Sequence, residues 1–233
     1  MKRSTASILR EYGPFAGVDG VHGVTFDGQH VWFASGDKLN ALDPGAGTTV
    51  RTLDVAAHAG TAHAGTAFDG RHLFQIVEDR IEKIDRDSGR VLATIPAPGG
   101  GADSGLAWAE GTLWVGQYRE RKIHQIDPQS GAVLRTIESN RFVTGVTWVD
   151  GELWHGTWEA DESALRRVDP GTGHVLEQVD MPAGVGVSGL ESDGRDTFYC
   201  GGGNSGTLRA VRRPASGNAV HDSDADADAA AER

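Results

Sequence analysis

One pattern returns five times along this chain and constrains its fold more than any other feature. Each copy begins with a glycine and a short apolar segment, turns through Asp-Gly or Glu-Gly, and continues into a segment with a central aromatic residue. The copies start at Gly23, Gly65, Gly105, Gly145 and Gly189, at spacings of 42, 40, 40 and 44 residues. A period of about 40–45 residues with four strands in each copy is typical of β-propeller blades. The sequence therefore predicts an all-β fold of five blades.

The fifth copy lacks a fourth strand, and the N-terminal segment supplies a matching one. Residues 7–12 (SILREY) resemble the fourth strands of the other copies, such as residues 50–55 (VRTLDV) and 133–138 (VLRTIE). We expect the segment to pair with the last blade, because an open edge leaves a row of unpaired backbone groups. Residues 7–214 are thus predicted to form one five-bladed β-propeller of four-stranded antiparallel blades, and residues 215–233 a disordered acidic tail rich in Ala and Asp.

Composition limits the classes of partner. The net charge of −11 argues against a nucleic-acid-binding face, which requires a basic surface. No segment approaches the roughly 18 apolar residues of a membrane span, and the N-terminus lacks the apolar core of a signal peptide. We expect a cytoplasmic protein with a small-molecule ligand and no nucleic-acid or membrane partner, while the oligomeric state stays open.

The repeat also predicts where a site lies. The first strand of each propeller blade lines the axis, so equivalent positions of different blades become neighbours at one mouth of the ring. Residues that precede the first strands or end the second strands mix imidazole, carboxylate, hydroxyl and aromatic groups, which the folding of five similar blades does not require. They are His22, His63, Ser104, Thr144 and Ser188 before the first strands, and Glu78, Gln117, Tyr118, Trp158 and Glu159 at the second-strand ends.

These residues divide into two predicted roles. The predicted catalytic groups are His22, His63, Glu78, His155 and Glu159. The predicted substrate-binding groups are Ser104, Gln117, Tyr118, Arg141, Thr144, Trp158 and Ser188, of which Arg141 offers a cation for an anionic ligand. His155 either fills a gap between blades or acts together with Glu159, on the same strand face, as a general base or as a pair of ligands. Because AHAGT occurs twice in succession, either His58 or His63 faces the axis.

The sequence favours at most one metal ion and no nucleotide cofactor. Gly184, Gly186 and Gly189 match G-x-G-x-x-G, but this segment joins two strands, whereas a dinucleotide site requires a following helix. No pair of residues has the CxxC or HExxH spacing of zinc ligands. His22, His63 and Glu78 are instead the predicted ligands of one divalent ion, with Zn, Mn or Ca compatible with nitrogen and oxygen donors.

Two segments carry a resemblance to known families. Residues 22–34 (HGVTFDGQHVWFA) are similar to the blade pattern of streptogramin (virginiamycin B) lyases, and residues 144–169 (TGVTWVDGELWHGTWEADESALRRVD) are similar to that of glutamine cyclotransferases. Over residues 7–214 the chain resembles the group of small β-propellers that contains these enzymes and the gluconolactonases. Val146 and Thr147 stand where the cyclotransferase pattern has an acidic residue. The resemblance implies small-molecule chemistry on the axis, often with a bound divalent cation.

Three functions are consistent with these observations. The first is a small-molecule enzyme, namely a lyase, a cyclotransferase or a lactone hydrolase that works by acid–base or metal-assisted chemistry. The second is a non-catalytic binding or scaffold module, because a propeller fold does not by itself imply an activity. The third, a sugar-binding lectin, requires nearly identical sites in each blade. The mouth residues differ from blade to blade, which favours a single specific site.

Overall fold

The five repeats fold into five antiparallel blades arranged in a ring, as the sequence predicts. The computed structural model describes residues 1–55 and 65–215. These residues form strands and turns, and they contain no helix that could span a membrane. The predicted tail lies outside the described residues apart from Ala215. Two strands precede the first blade: β1 (Lys2–Thr5) and β2 (Ile8–Tyr12).

The blades follow one another along the chain. Blade one contains β3 (Val24–Phe26), β4 (Val31–Ser35), β5 (Lys38–Asp43) and β6 (Thr48–Asp54). Blade two contains β7 (Thr66–Phe68), β8 (His72–Val77), β9 (Arg80–Asp85) and β10 (Val91–Pro96). Blade three contains β11 (Asp103–Ala109), β12 (Thr112–Gln117), β13 (Lys122–Ile126) and β14 (Val133–Glu138). Blade four contains β15 (Val143–Val149), β16 (Glu152–Glu159), β17 (Glu162–Val168) and β18 (Val175–Asp180). Blade five contains β19 (Gly189–Ser192), β20 (Thr197–Gly201) and β21 (Leu208–Arg212).

The N-terminal segment closes the ring, which confirms the prediction. Strand β2 pairs antiparallel with β21, so that blade five also has four strands. An ion pair of 2.6 Å between Glu11 and Arg209 joins the two strands. The closing strand thus satisfies the outer edge of β21, as the argument from unpaired backbone groups requires.

Blade four has a fifth strand that the sequence analysis did not predict. Strand β1 pairs in parallel with β18, next to the closing strand in sequence but in the neighbouring blade. Arg3 forms an ion pair with Asp180 at 2.6 Å, and Lys2 forms one with Glu177 at 2.9 Å. These contacts hold a segment whose own side chains are all exposed.

The glycines that begin the first strands allow the inner strands to meet at the axis. A Cβ atom on Gly105 would lie 2.7 Å from the Val146 nitrogen and 2.8 Å from the Gly145 carbonyl carbon of the next blade. Gly65, Gly145 and Gly189 meet the following blade in the same way. Only a residue without a side chain fits such a backbone contact, so the repeated glycine has a packing function.

Aromatic side chains fill the spaces between blades. Phe74 stacks on Trp108 and Trp114 on Trp148, each pair joining neighbouring blades. Counted from the blade glycine, Phe198 aligns with Trp32, Phe74, Trp114 and Trp154. The strand pairing instead places Tyr199 at this position, because the first hairpin of blade five is one residue longer. Phe198 instead packs against Trp154 across the interface of blades four and five.

Candidate functional site

Two aromatic residues at one mouth of the ring lie together, as the repeat predicts. The Tyr118 hydroxyl donates a hydrogen bond to the Trp158 carbonyl oxygen at 3.2 Å, across blades three and four. The Tyr118 ring packs against Phe142 with centroids 4.6 Å apart. The Trp158 ring extends towards blade five, where a Cβ on Gly186 would lie 2.5 Å from it. Together these rings form a wall that spans three blades.

The three mouth hydroxyls have different surroundings. Ser104 Oγ lies 2.7 Å from the Val143 carbonyl oxygen, and Ser188 Oγ lies 2.6 Å from the Val21 carbonyl oxygen, so each bridges to the next blade. Thr144 Oγ1 is buried and has no hydrogen-bond partner among residues 1–55 and 65–215. Of the three, Thr144 thus retains a hydroxyl that no protein group occupies.

A buried carboxyl stands next to Gln117 and was not among the predicted site residues. Asp103 begins β11 and is 7% exposed. It accepts hydrogen bonds from the Gly99 N–H at 2.9 Å and from Gln117 Nε2 at 3.4 Å. Burial raises the pKa of Asp103 and outweighs these two hydrogen bonds, which act to lower it. A carboxyl is a group that can accept and return a proton, and the two hydrogen bonds fix the orientation of this one.

Glu159 is held as a carboxylate by two arginines. Its oxygens lie 2.8 Å from Arg121 Nη2 and 2.7 Å from Arg141 Nη1. Burial acts to raise the pKa of Glu159, but the hydrogen bond from Arg141, the Phe142 N–H and the charge of Arg121 together lower it. The group therefore remains ionised at neutral pH, which suits it for positioning the arginines rather than for proton transfer.

His155 faces blade three from the middle of β16, and no hydrogen bond joins it to Glu159. The imidazole is 1% exposed, and its Nδ1 donates to the Gly156 carbonyl oxygen at 3.1 Å. Burial lowers the pKa of His155 to about 4, so the ring is neutral. It borders a cavity of about 250 Å³ between blades three and four, which Ile123, Ile137 and His174 also line.

The predicted metal ligands are only partly within the described residues. The His22 backbone N–H donates to the Ala34 carbonyl oxygen at 3.1 Å, and its side chain lies beside Gly20. Glu78 lies in the turn between β8 and β9 with a φ of 56°, and its carboxylate is 3.6 Å from Arg80. His63 and His58 lie outside the described residues. Within residues 1–55 and 65–215, no three His, Cys, Asp or Glu side chains are grouped to hold a metal ion.

A second carboxyl that sequence reasoning missed joins three inner strands at the axis. Glu191 Oε2 accepts a hydrogen bond from Thr25 Oγ1 at 2.9 Å, and Oε1 accepts one from Thr147 Oγ1. The Ser192 N–H donates to Oε1 at 2.8 Å. Burial raises the pKa of Glu191 to about 7 against these hydrogen bonds, although part of the side chain remains accessible to water.

Position in the repeat is the signal that identifies both missed carboxyls. Asp103 stands two residues before the blade glycine, where blades one, four and five have Val21, Val143 and Val187. Glu191 stands two residues after that glycine, where the other blades have only threonine or alanine. Asp103 is thus an acidic residue at a position that is valine in three blades and His63 in blade two, and Glu191 is an acidic residue at a position that is otherwise small.

Comparison with solved structures places the fold among propellers that include enzymes. The chain is similar to the glutaminyl cyclase of Myxococcus xanthus, with a TM-score of 0.74 and 18% identity over 91% of this chain and 97% of that one. It is also similar to virginiamycin B lyase from Staphylococcus aureus, with a TM-score of 0.51 and 14% identity over 88% and 70% of the two chains.

A WD40 propeller is similar to about the same degree as the lyase. The WD40 propeller domain of Doa1 aligns with a TM-score of 0.53 and 17% identity over 82% of this chain and 63% of that one. No model of a known protein family matches the sequence, and no curated protein matches it. At these identities the similarities show the propeller fold alone, which agrees with the resemblance found in the sequence.

Proposed function

We propose that this chain is an enzyme that acts on a small polar molecule at the mouth formed by blades three, four and five. The observation that carries the proposal is the buried Asp103 carboxyl, which Gln117 and the Gly99 N–H orient and whose pKa is raised by burial. Tyr118 and Trp158 line the same mouth and provide flat, apolar walls for a ligand. The similarity to a glutaminyl cyclase over nearly the whole length of both chains supports an enzymatic role.

Cyclotransferase chemistry fits this arrangement better than lyase or lactone hydrolase chemistry. In such a reaction an amine of the ligand attacks one of its own amide carbonyls, a new C–N bond forms, and ammonia leaves. One proton must move from the attacking nitrogen to the leaving nitrogen, and a single carboxyl performs both transfers. Asp103 has this role in the proposal, while Gln117 and the Gly99 N–H fix the orientation of its oxygens.

The other mouth residues have binding roles. Arg141, held by Glu159, presents positive charge beside the wall formed by Tyr118 and Phe142. His22 and, if it faces the axis, His63 provide further polar contacts from the opposite blades.

The metal-assisted form of the proposal depends on His22, His63 and Glu78. A bound Zn, Mn or Ca ion would polarise the carbonyl that is attacked. His22 and Glu78 form no ligand group with a third residue among residues 1–55 and 65–215.

Turnover of peptides with an N-terminal glutamine tests the proposal. We expect the wild-type protein to release ammonia from such peptides, detected by mass spectrometry. Asp103→Asn keeps the shape of the side chain but cannot transfer the proton, and should lower kcat by about 100-fold or more without changing KM comparably. Asp87→Asn, at an exposed turn, is the matched control and should leave kcat unchanged.

A binding or scaffold module is the second candidate, and the outer rim favours it. Leu9, Leu92, Leu134 and Leu176 are exposed on the fourth strands of four different blades. Exposed apolar side chains in this periodic arrangement are suited to contact other proteins. If the protein turned over neither glutaminyl peptides, lactones nor streptogramins, with or without added Zn, Mn or Ca, the enzymatic proposal would be rejected in favour of this one.

A further inference from the structure

Arg166 is a buried cation whose bonding partners are neutral. The residue lies on β17 and is 7% exposed. Its Nε donates to Gln178 Oε1 at 2.9 Å, and its Nη1 donates to Asn140 Oδ1 at 2.7 Å. No carboxylate of the described residues lies within ion-pair distance of it, whereas the buried Arg213 contacts Asp150 at 2.6 Å.

The corresponding position of blade five has a countercharge. Arg166 is paired in register with Gln178, just as Arg209 is paired with Glu11 in blade five. Arg209 contacts Glu11 at 2.6 Å, so blade five places a carboxylate where blade four has an amide. Blades one and three have Asn40 with Thr52 and His124 with Thr136 at this position, both uncharged hydrogen-bonded pairs. Blade four therefore has the arginine of this site without its carboxylate.

The nearest acid does not compensate the charge of Arg166. Gln178 Nε2 donates to Asp180 Oδ1 at 2.6 Å, but Asp180 already forms an ion pair with Arg3. Burial and then the charge of Arg141 lower the pKa of Arg166, while the charges of Glu159 and Asp180 have smaller effects in the opposite direction. A guanidinium buried without a carboxylate is costly to the fold.

The guanidinium borders a cavity large enough for a small ligand. The cavity has a volume of about 530 Å³, and Arg3, Arg141 and Thr157 also line it. Arg141 Nη2 is 3.5 Å from Glu162, whose side chain is 81% exposed, so this contact is weak and easily exchanged for a ligand. The cavity shares Arg141 with the mouth around Asp103, but Asp103, Tyr118 and Trp158 do not line it.

We propose that this cavity binds the oxyanion of a small ligand, a carboxylate or a phosphate group, through Arg166 with Arg141 as a second contact. A planar guanidinium binds two oxygens of such a group in a bidentate manner. The ligand supplies the charge that Gln178 does not. This proposal goes beyond the enzymatic one and does not depend on it, since its readout is binding.

Isothermal titration with sodium succinate and with inorganic phosphate, at constant chloride concentration, tests the proposal. We expect wild-type protein to bind at least one anion, and the two arms distinguish a carboxylate site from a phosphate site. Arg166→Gln should weaken binding at least about tenfold, because a charge-assisted hydrogen bond is lost. Arg90→Gln, which removes an exposed arginine in the last hairpin of blade two, is the matched control.

A second variant retains the arginine. Gln178→Glu places a carboxylate where blade five has one, and we expect it to compete with the anion and weaken binding at least about tenfold. Phosphate or succinate should raise the Tm of the wild type and of Arg90→Gln but not that of Arg166→Gln or Gln178→Glu. The absence of binding to both anions by the wild type, or equal binding by the wild type and the two cavity variants, would overturn the proposal. Neither outcome bears on the proposed proton transfer by Asp103, which the turnover experiment tests separately.

Discussion

Glu191→Gln should stabilise the protein, and increasingly so as the pH rises. The pKa of Glu191 is about 7 in the fold against 4.5 for the free group. Between these values the unfolded chain is ionised while the folded chain keeps its proton, so the folded state binds more protons and loses stability as the pH rises. The difference of about 2.5 pKa units corresponds to about 3 kcal/mol in the free energy of unfolding, and the wild type loses all of it only above pH 7. Glutamine has the same shape and never ionises.

Urea unfolding followed by tryptophan fluorescence measures the effect. Other carboxylates, such as Asp27 with its lowered pKa, make wild-type stability rise with pH, so only the difference between the two proteins isolates Glu191. We expect nearly equal free energies of unfolding at about pH 4 and a variant more stable by about 3 kcal/mol at about pH 8. Glu120→Gln, in the exposed turn after β12, should follow the wild-type curve. Parallel curves for Glu191→Gln and the wild type would refute the reasoning.

Three further predictions concern stability and are checked by thermal or urea unfolding. Gly105→Ala should destabilise the fold by about 3 kcal/mol or more, because the new Cβ would lie 2.7 Å from the Val146 nitrogen of the next blade; unchanged unfolding would contradict the close approach of the inner strands. Deletion of residues 1–11 should lower Tm several times more than deletion of residues 1–6, because only the longer deletion opens the ring; equal losses would contradict closure by β2. Arg213→Gln should lower the free energy of unfolding by about 3 kcal/mol, since it leaves Asp150 and Glu152 without their buried partner; an unchanged free energy would show that these ion pairs do not stabilise the fold.

Much of the fold could be predicted because each blade repeats the same local rules. Five glycines with similar spacing set the blade number, and the missing fourth strand of the last copy identified residues 7–12 as the closing strand. Strand β1 could not be predicted in this way, since Lys2–Thr5 has no apolar pattern and its position depends on ion pairs with blade four. The register of blade five was missed because an alignment without gaps does not detect a hairpin that is one residue longer.

The candidate site was predictable in position but less so in composition. The repeat correctly placed Tyr118 and Trp158 together, because equivalent strand ends converge whatever their side chains. It does not reveal that Ser104 and Ser188 bond to backbone carbonyls of the next blade, since that depends on side-chain direction. Arg166 lies on a third strand, away from the axis that the repeat singles out. That Arg166 lacks a carboxylate partner becomes visible only when Gln178 is identified as its neighbour on the fourth strand.

The residues that break the repeat share a physical property that connects them to function. Asp103, Glu191 and Arg166 are each ionisable and largely enclosed, and in each case burial shifts the pKa towards the neutral form. At the equivalent positions most other blades have an apolar residue, a threonine or an uncharged pair such as Asn40 with Thr52, and blade five pairs Arg209 with Glu11. Because each group destabilises the fold where the repeat offers a less costly residue, we propose that a ligand or a reaction accounts for its presence. The same logic separates these three from Arg213, whose charge is fully paired and whose role is to hold the C-terminal segment against blade four.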